Sequence, residues 1–202
     1  MKNIFLISVL LIITNNLFTG CQYQKSPDKE KSADMQSPAI STELSGDQLV
    51  KQGEYLVTIM GCSDCHSPKD VGPQGFTLKT DLMLSGYPAD RKLQKIDAGV
   101  IKQGWVLFND DLTASAGPWG VSFSANLTSD QTGIGNWTEE NFKRAMKEGK
   151  YKGLPNSRML LPPMPWQNFA VIQDKEIDAI FAYLKSTRPV SNVPPPPVAP
   201  QN

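Results

Sequence analysis

The stretch "IMGCSDCHSP", Ile59 to Pro68, holds two of the chain's three cysteines and its only histidine. Cys62, Cys65 and His66 form Cys-x-x-Cys-His, the spacing of c-type haem attachment. The geometry has a chemical reason. Two thiols three residues apart can add to the two vinyl groups of one porphyrin, and the following residue then offers an imidazole nitrogen to the iron. A covalent link also retains the cofactor in a domain with little core to grip it.

Three rival uses of these residues fit less well. A thioredoxin-like dithiol shares the Cys-x-x-Cys spacing but expects a strand before it and a βαβ context, whereas a helical pattern precedes this motif. A structural zinc site needs four ligands, and Cys62, Cys65 and His66 exhaust the supply apart from the distant Cys21. A simple disulfide leaves the adjacent histidine unexplained.

Around the motif, 202 residues with 40% apolar side chains describe one globular domain with extensions. Twenty Lys and Arg balance twenty Asp and Glu. No basic run or aromatic-studded basic stripe marks a nucleic-acid surface.

The chain starts with Lys2 and the apolar run "IFLISVLLII", Ile4 to Ile13, a signal-peptide pattern too short to span a bilayer as a stable helix. The run closes on "LFTGC", which resembles the cleavage and lipidation box of bacterial lipoproteins, with Phe18 where Leu is commonest. That resemblance makes residues 1–20 a signal peptide and Cys21 the lipid-carrying first residue of the mature chain. Ordinary secretion, with a cut near Gly20 and a free Cys21, is the alternative. Either way the domain is expected on the extracytoplasmic, periplasmic side, anchored to the membrane if Cys21 carries lipid. Residues 21–45 read as a polar tether of roughly 25 to 30 Å root-mean-square reach.

Three helices are expected in the domain proper, residues 46–190. Ser45 and Gln48 form a capping box for a helix whose face carries Leu49, Gly53, Leu56 and Met60, running into Cys62. Thr138 caps a second helix that Gly149 ends. A third starts near Gln173 or Asp174, with Ile177, Ile180, Phe181 and Leu184 on one stripe, and stops before Pro189. Between residues 67 and 125 the pattern weakens. "WVLF" (105–108) and "WGVSFSA" (119–125) flank a polar stretch and suggest a small hairpin within an inserted loop region. "LPPMPW" (161–166) is neither helix nor central strand, since three prolines remove donors. The 191–202 segment, "SNVPPPPVAPQN", reads as a stiff, polyproline-like exposed tail.

Helix followed by Cys-x-x-Cys-His, a methionine in a Pro-rich loop and a closing helix together resemble class I c-type cytochromes. "SANLTSDQTGIGNWTEENFKRAMKEG", "LPPMPWQNF" and "EIDAIFAYLKS" are similar to haem domains in the cytochrome subunits of bacterial membrane-bound dehydrogenases. Those subunits commonly carry several Cys-x-x-Cys-His motifs; this chain has one. The resemblance implies an all-α class I cytochrome c fold, one covalent haem c, and one-electron transfer rather than catalysis. The implied partners are a dehydrogenase or respiratory complex as donor and an oxidase or cytochrome as acceptor.

No second histidine exists for the other axial position, so a methionine is expected there. Met1 leaves with the signal, Met35 lies in the tether, Met60 is too near Cys62, and Met146 sits on a core stripe. Met83, Met159 and Met164 remain. Met164, stiffened by Pro163 and Pro165, matches the methionine of the family's loop and is favoured, with Met159 next. His66 also needs an acceptor for its second ring nitrogen. The family supplies a backbone carbonyl from a Pro-containing loop, which points to Pro73, or else Pro68. Trp105, Trp119, Trp137 and Trp166 are candidate pocket walls. Lys143, Arg144, Lys147, Lys150, Lys152 and Arg158 form a local basic excess that would either steer an acidic partner or, as for most such runs, be a solvated helix face. A haem-based sensor with a displaceable sixth ligand is the alternative function, and a thiol-redox protein a more distant one.

Overall fold

The computed structural model describes residues 45–200. Cys21, the signal segment and the tether up to residue 44 lie outside the described residues. Helix α1 (Gly46–Ile59) starts where the capping box places it: the Gln48 amide donates to Ser45 Oγ, and the Ser45 amide donates to Gln48 Oε1 at 3.0 Å. A left-handed Gly61 separates it from the short helix α2 (Cys62–His66), which carries the whole motif.

After α2 come strands β1 (Lys69–Gly72) and β2 (Gly75–Leu78), paired antiparallel around a Pro73-Gln74 turn. Helix α3 (Ala98–Lys102) precedes a three-stranded antiparallel sheet of β3 (Leu107–Phe108), β4 (Ala114–Gly117) and β5 (Gly120–Phe123). Helices α4 (Glu139–Glu148), α5 (Trp166–Phe169) and α6 (Asp174–Ser186) complete the chain.

The all-α expectation for this cytochrome-like chain is therefore corrected: the inserted region is built from two antiparallel sheets. The hairpin foreseen between "WVLF" and "WGVSFSA" is also re-paired. β5 turns back on β4 through Pro118-Trp119, and β3 joins the far side of β4. Ala114, Ala116 and Gly117 carry too little apolar bulk to mark a strand in sequence. What makes them one is pairing on both sides, a non-local condition.

The core is helical. α1 crosses α6 so closely that a Cβ on Gly53 would lie 1.9 Å from the Ala179 carbonyl oxygen, so only glycine fits. Leu56, Val57, Phe142, Met146, Ile177, Ile180 and Leu184 fill the space between α1, α4 and α6, with Leu84 and Ile134 inserted from the connecting loops. The foreseen helix stripes are thus buried as the 3.6-residue period requires. α4 is capped by Thr138, whose hydroxyl accepts from the Asn141 amide at 3.1 Å, and ends on a left-handed Gly149. Among the described residues no helix is long and apolar enough to cross a membrane.

The Pro-rich tail does not hang free. Asn192 Nδ2 donates to the Ser85 and Tyr87 carbonyls, at 2.7 and 2.9 Å, and its Oδ1 accepts from the Ala89 amide at 2.9 Å. Farther on, Val198 pairs with Val121 on the open edge of β5 through two backbone bonds of 2.8 and 3.0 Å. Residues 190–198 form a strap from the end of α6 to the sheet, covering an edge that would otherwise be unpaired.

Candidate functional site

Cys62 and Cys65 are free thiols one turn apart on α2, both half-buried. Their spacing puts them on one side of the helix, as i and i+3 require. Burial pushes the Cys62 thiol up to about 11 and raises Cys65 as well, so neither has the depressed pKa of an attacking thiolate. A helix, not a strand, leads into the pair, so the surroundings of a thioredoxin-like dithiol are missing here.

His66 closes the same turn. Its Nδ1 lies 2.7 Å from the Ala125 carbonyl oxygen. A carbonyl only accepts, so Nδ1 carries the proton and donates, and in the neutral ring the lone pair belongs to Nε2. Burial holds the His66 pKa below the usual imidazole value; the Ala125 bond opposes this and the Lys69 charge adds to it. The acceptor is neither Pro73, which sits in the β1–β2 turn, nor Pro68. It comes from the chain just after β5, fifty-nine residues on. No local signal in the sequence marks Ala125, because a backbone carbonyl is recruited by position and not by side-chain type.

That carbonyl is held from several sides. The Gly86 amide donates to the His66 carbonyl at 2.8 Å, the Tyr87 amide to Ser124 at 3.0 Å and the Leu127 amide to Leu84 at 2.8 Å. Gly86, at φ +77, packs against the Ala125 carbonyl so tightly that a Cβ there would sit 2.6 Å from its oxygen. The buried Asn126 Nδ2 donates to the Val190 carbonyl at 2.8 Å and to Thr132 Oγ1 at 3.1 Å, tying the Ala125 segment to the strap.

The three candidate methionines are placed differently. Met159 is 40% exposed and bridges Lys150 in a small antiparallel pair. Met83 and Met164 are both half-buried against the core, where Cys62 and Met60 also pack. The Met164 loop is pinned to the sheet by Ser122, whose hydroxyl donates to the Pro162 carbonyl at 2.6 Å. Among the described residues no three His, Cys, Asp or Glu side chains are grouped so as to hold a metal ion.

Of the four tryptophans, Trp105 is 63% exposed. Trp137 packs against the core, Trp166 against Gly149, and Trp119 against Gly117 with its Nε1 donating to Ser122 Oγ at 3.3 Å. The basic excess is also smaller than its sequence count. Lys143 is ringed by Glu139, Asp174 and Asp178, Lys147 pairs with Asp174, and Arg144 with Glu140.

None of the known family models matches this chain. Comparison with curated proteins does find relatives. A gluconate 2-dehydrogenase cytochrome c subunit from Pantoea cypripedii is 31% identical over 146 residues, which are 72% of this chain and 24% of that one. An alcohol dehydrogenase (quinone) cytochrome c subunit from Gluconobacter oxydans is 28% identical over 155 residues, 76% of this chain and 24% of the relative. A fructose dehydrogenase cytochrome subunit from Gluconobacter japonicus is 23% identical over 191 residues, 94% of this chain and 30% of the relative. The chain thus spans only about a quarter to a third of the length of these relatives.

Proposed function

We propose that this chain, a homologue of the cytochrome c subunits of dehydrogenases, is a one-electron carrier built around a single covalently held haem c. The observation that carries the proposal is the His66–Ala125 bond. It fixes the ring, assigns the proton to Nδ1 and leaves Nε2 as the only histidine lone pair in the chain, on the residue that follows two free thiols at the attachment spacing.

In this reading Cys62 and Cys65 would form the thioether links, and His66 through Nε2 and Met164 through its thioether would hold the iron. Haem held in this way supplies an iron couple that gains and releases one electron, at a potential raised by Met ligation. The residues of the chain do the rest. α2 presents both thiols and the imidazole from one turn, Ala125 orients the imidazole, and Ser122 steadies the loop from which Met164 reaches in. An iron held by an imidazole and a thioether from the chain itself would leave no position for a substrate, which favours a carrier over an enzyme. The donor is a dehydrogenase or a quinol-linked complex, and the acceptor an oxidase or another cytochrome. A lipid on Cys21 would keep the domain at the membrane surface facing the periplasm, where confinement raises the effective concentration for two partners.

Optical spectra of the oxidised and dithionite-reduced protein test the reading. Bands of c-type haem with the weak near-infrared absorption of a sulfur-to-iron bond are expected, and Met164→Ala should abolish that absorption and let carbon monoxide bind the reduced protein. Carbon monoxide binding to the unmutated protein would overturn the Met164 assignment, and absence of haem would overturn the whole proposal. Membrane fractionation of Cys21→Ser protein tests the anchor, which is refuted if the variant stays with the membrane through its N-terminus.

A further inference from the structure

Behind the Cys-x-x-Cys-His turn lies a buried lysine. Lys69 is only 7% exposed, and its Nζ donates to three backbone carbonyls: Asp64 at 2.6 Å, Ser67 at 2.9 Å and Asp111 at 2.8 Å. Three acceptors require three N–H bonds, so the group is an ammonium and not a neutral amine. Two of the acceptors, Asp64 and Ser67, bracket Cys65 and His66 in the chain.

The third acceptor belongs to a second buried charge. The Asp111 carboxylate is 1% exposed and is held by the Thr113 hydroxyl at 2.6 Å, the Asn109 amide group at 2.7 Å and the Arg91 guanidinium at 2.8 Å. Arg91 also pairs with Asp110. A buried charge is costly unless it is fully hydrogen-bonded, and an apolar residue would usually fill such a position at no loss of stability. Closing α2 against β1 needs only a packed side chain. A charge kept here at that expense, with every proton satisfied, acts on something that is sensitive to charge.

We propose that Lys69 is a positioning and potential-setting residue of the haem side that His66 occupies, with Asp111 holding it there from the β3–β4 connection. The ammonium fixes the carbonyls on either side of Cys65 and His66, and its field favours the state of the site that holds one more electron. A unit charge acting over about 10 Å at an effective dielectric of about 20 shifts such an equilibrium on the order of tenfold. The inference rests on the haem reading above. It goes further by giving the inserted region a role at the site, where the β3–β4 connection supplies Asp111 for Lys69 and the chain after β5 supplies the Ala125 carbonyl for His66.

Redox titration of the purified haem-loaded protein at neutral pH, alongside its thermal unfolding, provides the test. Lys69→Met should lower the reduced-to-oxidised ratio at fixed potential about tenfold, equivalent to about 59 mV for one electron. Lys69→Arg should stay within about twofold of the unmutated protein. Asp111→Asn, which removes the negative member and leaves the ammonium, should move the ratio the other way. Mere loosening of the site would shift Lys69→Met and Asp111→Asn in the same direction, so opposite signs separate charge from structure. Folded Lys69→Met with an unchanged ratio overturns the proposal, as does a downward shift in Asp111→Asn; should Lys69→Met fail to fold, the sign in Asp111→Asn decides alone. Unmutated protein that carries no haem overturns this inference and the proposed function together, whereas a normal haem spectrum with either contrary result overturns only the role of Lys69.

Discussion

Replacing Gly86 with alanine should damage the site through one backbone carbonyl. Gly86 has φ +77, a conformation that costs a residue with a Cβ about 1–2 kcal/mol. The new Cβ would also stand 2.4 Å from the Ser124 carbonyl oxygen and 2.6 Å from that of Ala125, where Cβ atoms essentially never approach within 3.0 Å. Both neighbours are backbone and cannot rotate away. If the Ala125 oxygen withdraws by about 0.8 Å, to an ordinary contact, the 2.7 Å bond from His66 Nδ1 stretches towards about 3.5 Å, where a hydrogen bond is effectively lost. A half-buried donor left without its partner adds up to about 1–3 kcal/mol. The total of about 2–5 kcal/mol corresponds to a fall in Tm of about 4 to 20 °C for a chain of this size. Gly75→Ala is the control, because Gly75 has φ +100 with nothing within 4 Å of the position its Cβ would take, and so shows the conformational penalty alone. Calorimetry on both variants, with the spectrum of the haem-loaded protein as a second readout, measures the difference. Equal losses of Tm in the two variants, or an unaltered spectrum in a destabilised Gly86→Ala, would refute the argument that this glycine protects the His66 acceptor.

Other expectations test the scaffold. Gly53→Ala places a Cβ 1.9 Å from the Ala179 carbonyl and must push α1 and α6 apart, so chemical denaturation should show a loss of about 1–3 kcal/mol or more; an unchanged midpoint would mean that the crossing is looser than described. Asn126→Ala removes the donor to Val190 and should cost about 1–3 kcal/mol while speeding amide exchange at Val190 and Asn192; unaltered exchange there would show that the strap does not depend on Asn126. The Asp111 carboxyl, which burial alone would raise, is instead carried below its ordinary 3.8 by the Thr113 hydrogen bonds and by Arg91. A folded-state pKa below the unfolded one stabilises above 3.8, and that stability is lost as pH falls through the folded value. The Tm difference between unmutated protein and Asp111→Asn should therefore be level near neutrality and shrink on acidification below 3.8; a difference that grows in acid would contradict the sign.

The helical part of the fold was legible because its signals are local. Ser45 with Gln48, Thr138, Gly149 and the Ile177 to Leu184 stripe each act within a few residues of themselves, and the three helices start and stop within a residue or two of where those signals put them. The sheets were legible only in part: "WVLF" and "WGVSFSA" do hold β3 and β5, but the strand between them went unseen. β4 is Ala-Ser-Ala-Gly, and what makes it a strand is the presence of β3 and β5 on either side. The tail looked like a free polyproline end because Val198 carries no mark of the partner it finds on Val121.

The same division runs through the candidate site. Sequence alone determined the chemistry on offer: two thiols and an imidazole at one spacing, a single histidine, and a methionine in a stiffened loop, all matters of residue type and short-range order. Only the tertiary structure decided what surrounds them. The acceptor for His66, the Asp111 carbonyl that Lys69 reaches behind the motif, and the strap held through Asn126 and Asn192 depend on contacts between residues 42 to 107 positions apart. Backbone carbonyls do most of that work, and since every residue carries one, its role is set by where the fold brings it.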